Sequence, residues 1–208
     1  MTTRGVQALI DTVMQSPEPV TIISIGPMPN VAAALGREPR IAKRARLVGM
    51  YGSVRVGYDG RKNVSAEWNV KADAKACQKA FTAPWEMTIT PLDTCGLVTL
   101  DGERYQRVRD SKDLIASTII ENYRIWSKKN DPKSDAAENH SSVLFDTVAV
   151  YLAINHELCR IEKLGIRVTD DGFTRIDEQA KQVEVATEWK NLDRYRDFLV
   201  ERLTGKQS

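Results

Sequence analysis

The first apolar rhythm of the chain is helical. Val6, Leu9, Ile10, Val13 and Met14 recur at spacings of three and four, which predicts an amphipathic helix ending near Ser16-Pro17. The rhythm then changes: Val20-Thr21-Ile22-Ile23-Ser24-Ile25 is short, β-branched and apolar on both faces, the pattern of a buried strand in a parallel sheet. A helix followed by such a strand predicts α/β layering. Gly26-Pro27-Met28-Pro29-Asn30 punctuates the chain as a turn, with Asn30 placed to cap a helix over 31–35. Pro39 suits the first turn of a second short helix over 40–45, and Leu47-Val48-Gly49-Met50 reads as another buried strand.

Further along, Asp73 is placed to cap a helix over 74–81, and Met87-Thr88-Ile89-Thr90-Pro91-Leu92 reads as a third strand. Leu114, Ile115, Ile119, Ile120, Tyr123 and Trp126 restore the helical period over 111–128, and a polar, proline-containing linker, expected to be mobile, runs on to about 140. Strands are predicted around 165–169 and 183–186, with Asp170-Asp171-Gly172 as a turn, and an amphipathic helix over 192–203. The predicted fold is α/β, a mostly parallel sheet flanked by helices.

Composition narrows the function classes. A chain of 208 residues, 42% hydrophobic and 28% charged, is long enough for a sizeable core and reads as one soluble globular domain over 1–208. The net charge of +2 comes from Lys and Arg spread along the chain, which leaves no footprint for nucleic acid. No apolar run approaches the length of a membrane span, and Met1-Thr2-Thr3-Arg4 leads into an amphipathic segment, so neither a membrane nor a signal peptide is expected. Cys77, Cys95 and Cys159 are odd in number and far apart, which fits a reducing, cytoplasmic compartment. His156 and Cys159 would share a helical face; packing accounts for such a pair better than a metal does.

Candidate chemistry concentrates in Ala66-Glu67-Trp68-Asn69-Val70-Lys71-Ala72-Asp73. In an extended segment Glu67 and Asn69 would share one side and Trp68 the other, presenting acceptors and a donor suited to a polyhydroxylated ligand. A solvated loop with one aromatic anchor is the plainer alternative. Asp146 stands in the otherwise apolar run 143–152, where a charge needs a cap, a partner or a metal; capping a helix that starts at Thr147 would suffice.

Gly49-Met50-Tyr51-Gly52, then Ala66-Glu67-Trp68-Asn69 and Asp73, resembles the ribose-binding core of the inosine-uridine preferring nucleoside hydrolases. Gly26 to Asn30, Pro91 to Thr94 and the run around Asp146 resemble further segments of that family, in the family's order. The resemblance implies cleavage of the N-glycosidic bond of a ribonucleoside to base and ribose. Its partner would be a nucleoside or another ribose-containing small molecule, and a homo-oligomer is implied as well. By the same resemblance Met50, Glu67 and Asn69 contact the sugar, with Asn63 the nearest residue to an asparagine that holds the 5'-hydroxyl. Met50 serves equally as a core residue.

Calcium is the implied cofactor, with Asp146 and the main-chain carbonyl of Pro29 as ligands and Asp146 also touching a ribose hydroxyl. Proline retains its carbonyl, so Pro29 in place of the family's threonine is compatible with that contact. Two departures stand out. Phe145 occupies the position of a histidine that helps protonate the leaving base, and no Asp-Thr-Asp followed by Gly and paired Asp occurs in the chain. The chain therefore resembles the later two-thirds of a family domain, truncated at its amino terminus, and its catalytic residues stay unassigned. Impaired hydrolysis is the expectation, with a noncatalytic sugar-binding or interaction protein of the same ancestry as the alternative.

Overall fold

The apolar face predicted for the first helix is the one the fold buries. In the computed structural model, which describes residues 3–205, α1 (Thr3–Gln15) sets Val6, Ile10 and Val13 into a core shared with Ile22, Leu35 and Leu47. β1 (Val20–Ser24) follows, then α2 (Pro29–Arg37), a short 3-10 turn over Pro39–Lys43 and β2 (Ala45–Met50). Pro29 opens α2 at its first turn, where a missing amide proton costs nothing; the expected cap at Asn30 is not made, because Asn30 already lies inside the helix. Glu38 instead caps the 3-10 turn, accepting from the Arg40 amide at 3.1 Å.

The chain continues through α3 (Trp68–Lys71), α4 (Ala74–Thr82), β3 (Met87–Thr90) and α5 (Leu92–Cys95). Asp73 caps α4 as predicted, accepting from the Ala76 amide at 3.0 Å. Next come α6 (Gly102–Arg109), α7 (Leu114–Asn130), α8 (Ala136–Asn139) and α9 (Thr147–Leu152). The strands β4 (Cys159–Val168), β5 (Thr174–Ile176) and β6 (Gln182–Trp189) precede α10 (Leu192–Leu203). Two compact units result. One holds the residues up to Leu97 together with Phe145–Trp189; the other holds Val98–Leu144 with the residues from Lys190 onward.

The first unit carries a six-stranded sheet in the order β1-β2-β3-β6-β4-β5. β1, β2, β3 and β6 run parallel, while β4 is antiparallel to both β6 and β5. The sheet is thus mostly parallel, as predicted, and β4 and β5 form a hairpin across Gly172, whose φ of +85° suits glycine. The prediction for β1 needs correction. It is parallel but lies at the sheet edge, where Ile23 and Ile25 are 41% and 44% exposed rather than covered. Parallel pairing brings the carboxyl ends of β1, β2 and β3, at Ser24, Met50 and Thr90, to one rim, and α9 packs against the same three strands.

The second unit has its own core of Leu100, Tyr105, Val108, Ala116, Ile120 and Val200. Arg104 of α6 joins α10 through Asp193 at 2.9 Å and Asp197 at 2.7 Å. The linker expected after 128 begins later, because α7 runs to Asn130 and α8 adds a turn of helix within it.

Candidate functional site at the carboxyl rim of the sheet

β2 ends at Met50 and the chain turns outward through Gly52, whose φ of +82° is a conformation that favours glycine. A side chain there would also meet the Thr174 hydroxyl, 2.5 Å from where its Cβ would stand. The loop is then pinned by three buried side chains. Glu67 accepts from the Gly52 amide at 3.1 Å, and Thr174 Oγ1 accepts from the Ser53 amide at 2.9 Å while donating to the Ser53 carbonyl at 2.9 Å. Asp93 accepts from the Val54 amide at 2.9 Å and the Arg55 amide at 2.7 Å. Asp93, within α5, therefore holds this loop from a distance of nearly 40 residues in the chain. Tyr51 ties β2 to the turn after β1: its hydroxyl donates to the Gly26 carbonyl at 2.5 Å, so at the 2.5 Å contact with Ser24 Oγ the serine is the donor.

Glu67 is 2% exposed and serves as the cap of α3. Its carboxylate accepts from the Asn69 amide at 2.8 Å and the Val70 amide at 3.4 Å, besides Gly52. Burial outweighs those three amides and raises the carboxyl above its ordinary range, and the negative charge of Asp146 pushes the same way. Asn69 is also buried and donates through Nδ2 to the carbonyl of Met50 at 3.1 Å and its sulfur at 3.2 Å. That leaves Asn69 Oδ1 without a partner among the described residues. The expected extended segment at 66–70 is corrected to a helix beginning at Trp68; Glu67 and Asn69 are still inward and Trp68 outward, 67% exposed.

Asp146 stands at the cap position of α9, as predicted, yet its side chain makes no capping bond. Asp146 is exposed, yet desolvation by the protein around it raises its carboxyl. The helix that Asp146 opens, α9, packs against β1, β2 and β3, and its negative charge adds to the upward shifts of Glu67, Tyr51 and Cys95. Phe145 meets Tyr58 edge to face at 6.3 Å, and the Tyr58 hydroxyl accepts from the Trp68 amide at 2.9 Å. An aromatic pair thus joins the residue before Asp146 to the residue after Glu67.

Two sequence candidates sit differently. Asn63 is exposed in the loop after β2, and its side chain bonds none of the described residues. Pro29 opens α2, so its carbonyl points along the helix toward the following amides. His156 and Cys159 do not share a helix: His156 follows α9 and bonds the Leu152 carbonyl at 2.7 Å, while Cys159 starts β4. A calcium ion takes six to eight oxygens. Among the described residues no three His, Cys, Asp or Glu side chains gather as a metal would require, so Asp146 and the Pro29 carbonyl do not by themselves fit that ion. Sequence reasoning missed Tyr51, Tyr58 and Thr174, whose roles come from residues 10 to 121 positions away.

The sequence profile of the inosine-uridine preferring nucleoside hydrolases matches residues 1–197. The chain belongs to that family. A probable uridine nucleosidase 1 from Oryza sativa subsp. japonica is 24% identical over 188 residues, which is 87% of this chain and 56% of the rice protein. The inosine-uridine preferring nucleoside hydrolase of Leishmania major is 26% identical, with 81% of this chain and 52% of that protein aligned. This nucleoside hydrolase chain thus spans about half the length of the curated relatives it matches. A solved plant nucleoside hydrolase superposes with a TM-score of 0.81 at 20% identity, covering 96% of this chain and 66% of the other, a likeness of fold.

Proposed function

We propose that the chain is a ribonucleoside hydrolase-type protein that holds the ribose of a nucleoside at the rim formed by Met50, Glu67, Asn69 and Asp146. The observation that carries this reading is the packing of α9, which Asp146 opens, against β1, β2 and β3, at whose carboxyl rim Asn69 bonds Met50 and Glu67 bonds Gly52; the effect of the Asp146 charge on Glu67 agrees with it. Asn69 Oδ1 and Asp146 supply acceptors for sugar hydroxyls, and Glu67 holds the backbone that frames them. Asn63, Pro29 and a role in the cytoplasm belong to the same reading through family resemblance.

Hydrolysis breaks the bond between the anomeric carbon and the base nitrogen, the electron pair leaving with the base while water oxygen bonds the carbon. Positive charge develops on the sugar, and the Asp146 carboxylate is placed to stabilise it. Glu67 is a poor base for the water because three backbone amides occupy its oxygens. Phe145 cannot pass a proton to the leaving base. We therefore infer slow or absent turnover by this chain alone.

Noncatalytic ribose binding is the second reading, and Phe145 favours it. Calorimetry with ribose, inosine and uridine, with and without calcium, tests both, alongside chromatography of released base. Binding that is lost in Asp146→Ala supports the rim as the sugar site, and absence of binding overturns it. Release of base at a rate typical of enzymes would overturn the inference of impairment.

A further inference from the structure

Within an otherwise even distribution of charge, residues 37–46 hold five cations, Arg37, Arg40, Lys43, Arg44 and Arg46, and one carboxylate, Glu38. The 3-10 turn over Pro39–Lys43 and the start of β2 carry most of them to the amino end of the sheet. Two cavities of about 400 and 410 Å³ open there and meet at Lys43 and Pro84. Arg44 and Arg46 line the first, Arg40 and Lys79 the second, and among the described residues Glu86 is the one carboxylate lining either.

These charges are held in place without being neutralised. Arg40 is engaged by both oxygens of Glu38, at 2.8 and 2.6 Å. Lys43, Arg44, Arg46 and Lys79 have no carboxylate partner among the described residues. Arg44 donates to the carbonyls of Val13 at 3.4 Å and Ser16 at 2.5 Å, and Arg46 donates to the Thr21 hydroxyl at 2.8 Å and the Ala153 carbonyl at 2.9 Å. All four acceptors are neutral, so they fix the direction of each guanidinium and leave its charge, which lowers the ordering cost of binding an anion. The Lys79 ammonium lies over Gly36 of α2, 2.5 Å from where a Cβ would stand. Glycine weakens a helix, and here its bare backbone makes room for that ammonium.

We propose that this groove binds a small anion bearing two or more phosphates, with Lys43 between the cavities and Arg44, Arg46 and Lys79 to either side. Lysine meets phosphate as a point charge and arginine as a fork of donors, and four unpaired cations spread over two cavities suit a di- or triphosphate better than a single anion. The groove lies at the start of β2 and the ribose rim beyond its end; six residues of strand separate them by roughly 20 Å. They share no residue, so the result at the groove is independent of the ribose reading.

Titration calorimetry of the full chain with inorganic tripolyphosphate, pyrophosphate and sulfate at physiological ionic strength tests the proposal. Lys43→Gln and Lys79→Gln are compared with Lys129→Gln, an exposed lysine of the second unit. Both polyphosphates are expected to bind at least tenfold more tightly than sulfate. Each groove variant is expected to weaken them about tenfold, and Lys129→Gln to leave them unchanged. Absence of tripolyphosphate binding at millimolar concentration, sulfate bound as tightly, or equal losses in all three variants overturns the proposal. Circular dichroism checks folding. Should Lys79→Gln unfold, Gly36→Ala serves instead: it strengthens the helix while its methyl displaces the Lys79 ammonium, so unchanged tripolyphosphate binding in that variant overturns the groove as the site.

Discussion

The carboxylate of Glu67 accepts a hydrogen bond from the amide of Gly52 at 3.1 Å, tying the turn that leaves β2 to the start of α3. The same group caps α3, so one buried side chain organises both borders of the candidate site. Removing it strands three amides. Glu67→Ala is expected to lower unfolding free energy by roughly 2–4 kcal/mol in urea denaturation, as loss of a cap and of buried charged hydrogen bonds implies. Glu67→Gln, which retains one acceptor oxygen, should fall between.

Asp146 and burial together give Glu67 a pH signature. Below the ordinary carboxylate range, folded and unfolded chains are both protonated there. As pH climbs past it, the unfolded chain releases the proton while folded Glu67 retains it, so this residue's contribution to stability falls until the folded carboxyl also ionises. Asp146→Asn removes a negative neighbour and is expected to lower the Glu67 titration midpoint, read by carbon-detected NMR of the side-chain carboxyl. An unchanged midpoint would mean that the two carboxylates do not share the rim.

Thr174 couples the β4–β5 hairpin to the loop after β2 through two hydrogen bonds with Ser53. Thr174→Val keeps the shape and loses both, at an expected cost of about 1–3 kcal/mol. Gly52→Ala should cost at least as much, since it adds backbone strain at φ +82° to a clash with Thr174. Thermal unfolding of the two variants measures both effects.

Lys181 donates to the Ala83 carbonyl at 2.6 Å, and burial brings its ammonium down to about 8 from an ordinary 10.5. Between those values the unfolded chain binds more protons than the folded one, so this residue makes stability rise with pH across that window, while below it the buried ammonium lowers stability by an amount that does not change with pH. In Lys181→Met the rise should disappear from a series of denaturation curves.

Local signals carried most of the fold. The three-and-four spacing of Val6 to Met14, the β-branched run at 20–25, the apolar run at 47–50 and the cap at Asp73 reappear as elements because each depends on neighbours within a few positions. β1 shows where this stops. Its composition matches a strand covered on both sides, but pairing partners decide coverage, and β1 has a neighbour in β2 only. The helix at Trp68 was hidden for a related reason: four residues are too few to show a period, and the cap that stabilises them also answers to Gly52, 15 residues earlier.

By itself the sequence determined the α/β class and the family, because helical period, strand composition and motif order are properties of the chain as written. Only the tertiary structure decided that Asp146 acts on Glu67, that Asn69 turns its amide to Met50 and leaves its oxygen free, and that Asn63 is exposed away from these contacts. Electrostatic coupling and burial depend on distance through space, and the parallel register that brings Met50 and Thr90 to one rim is a relation between strands some 40 residues apart.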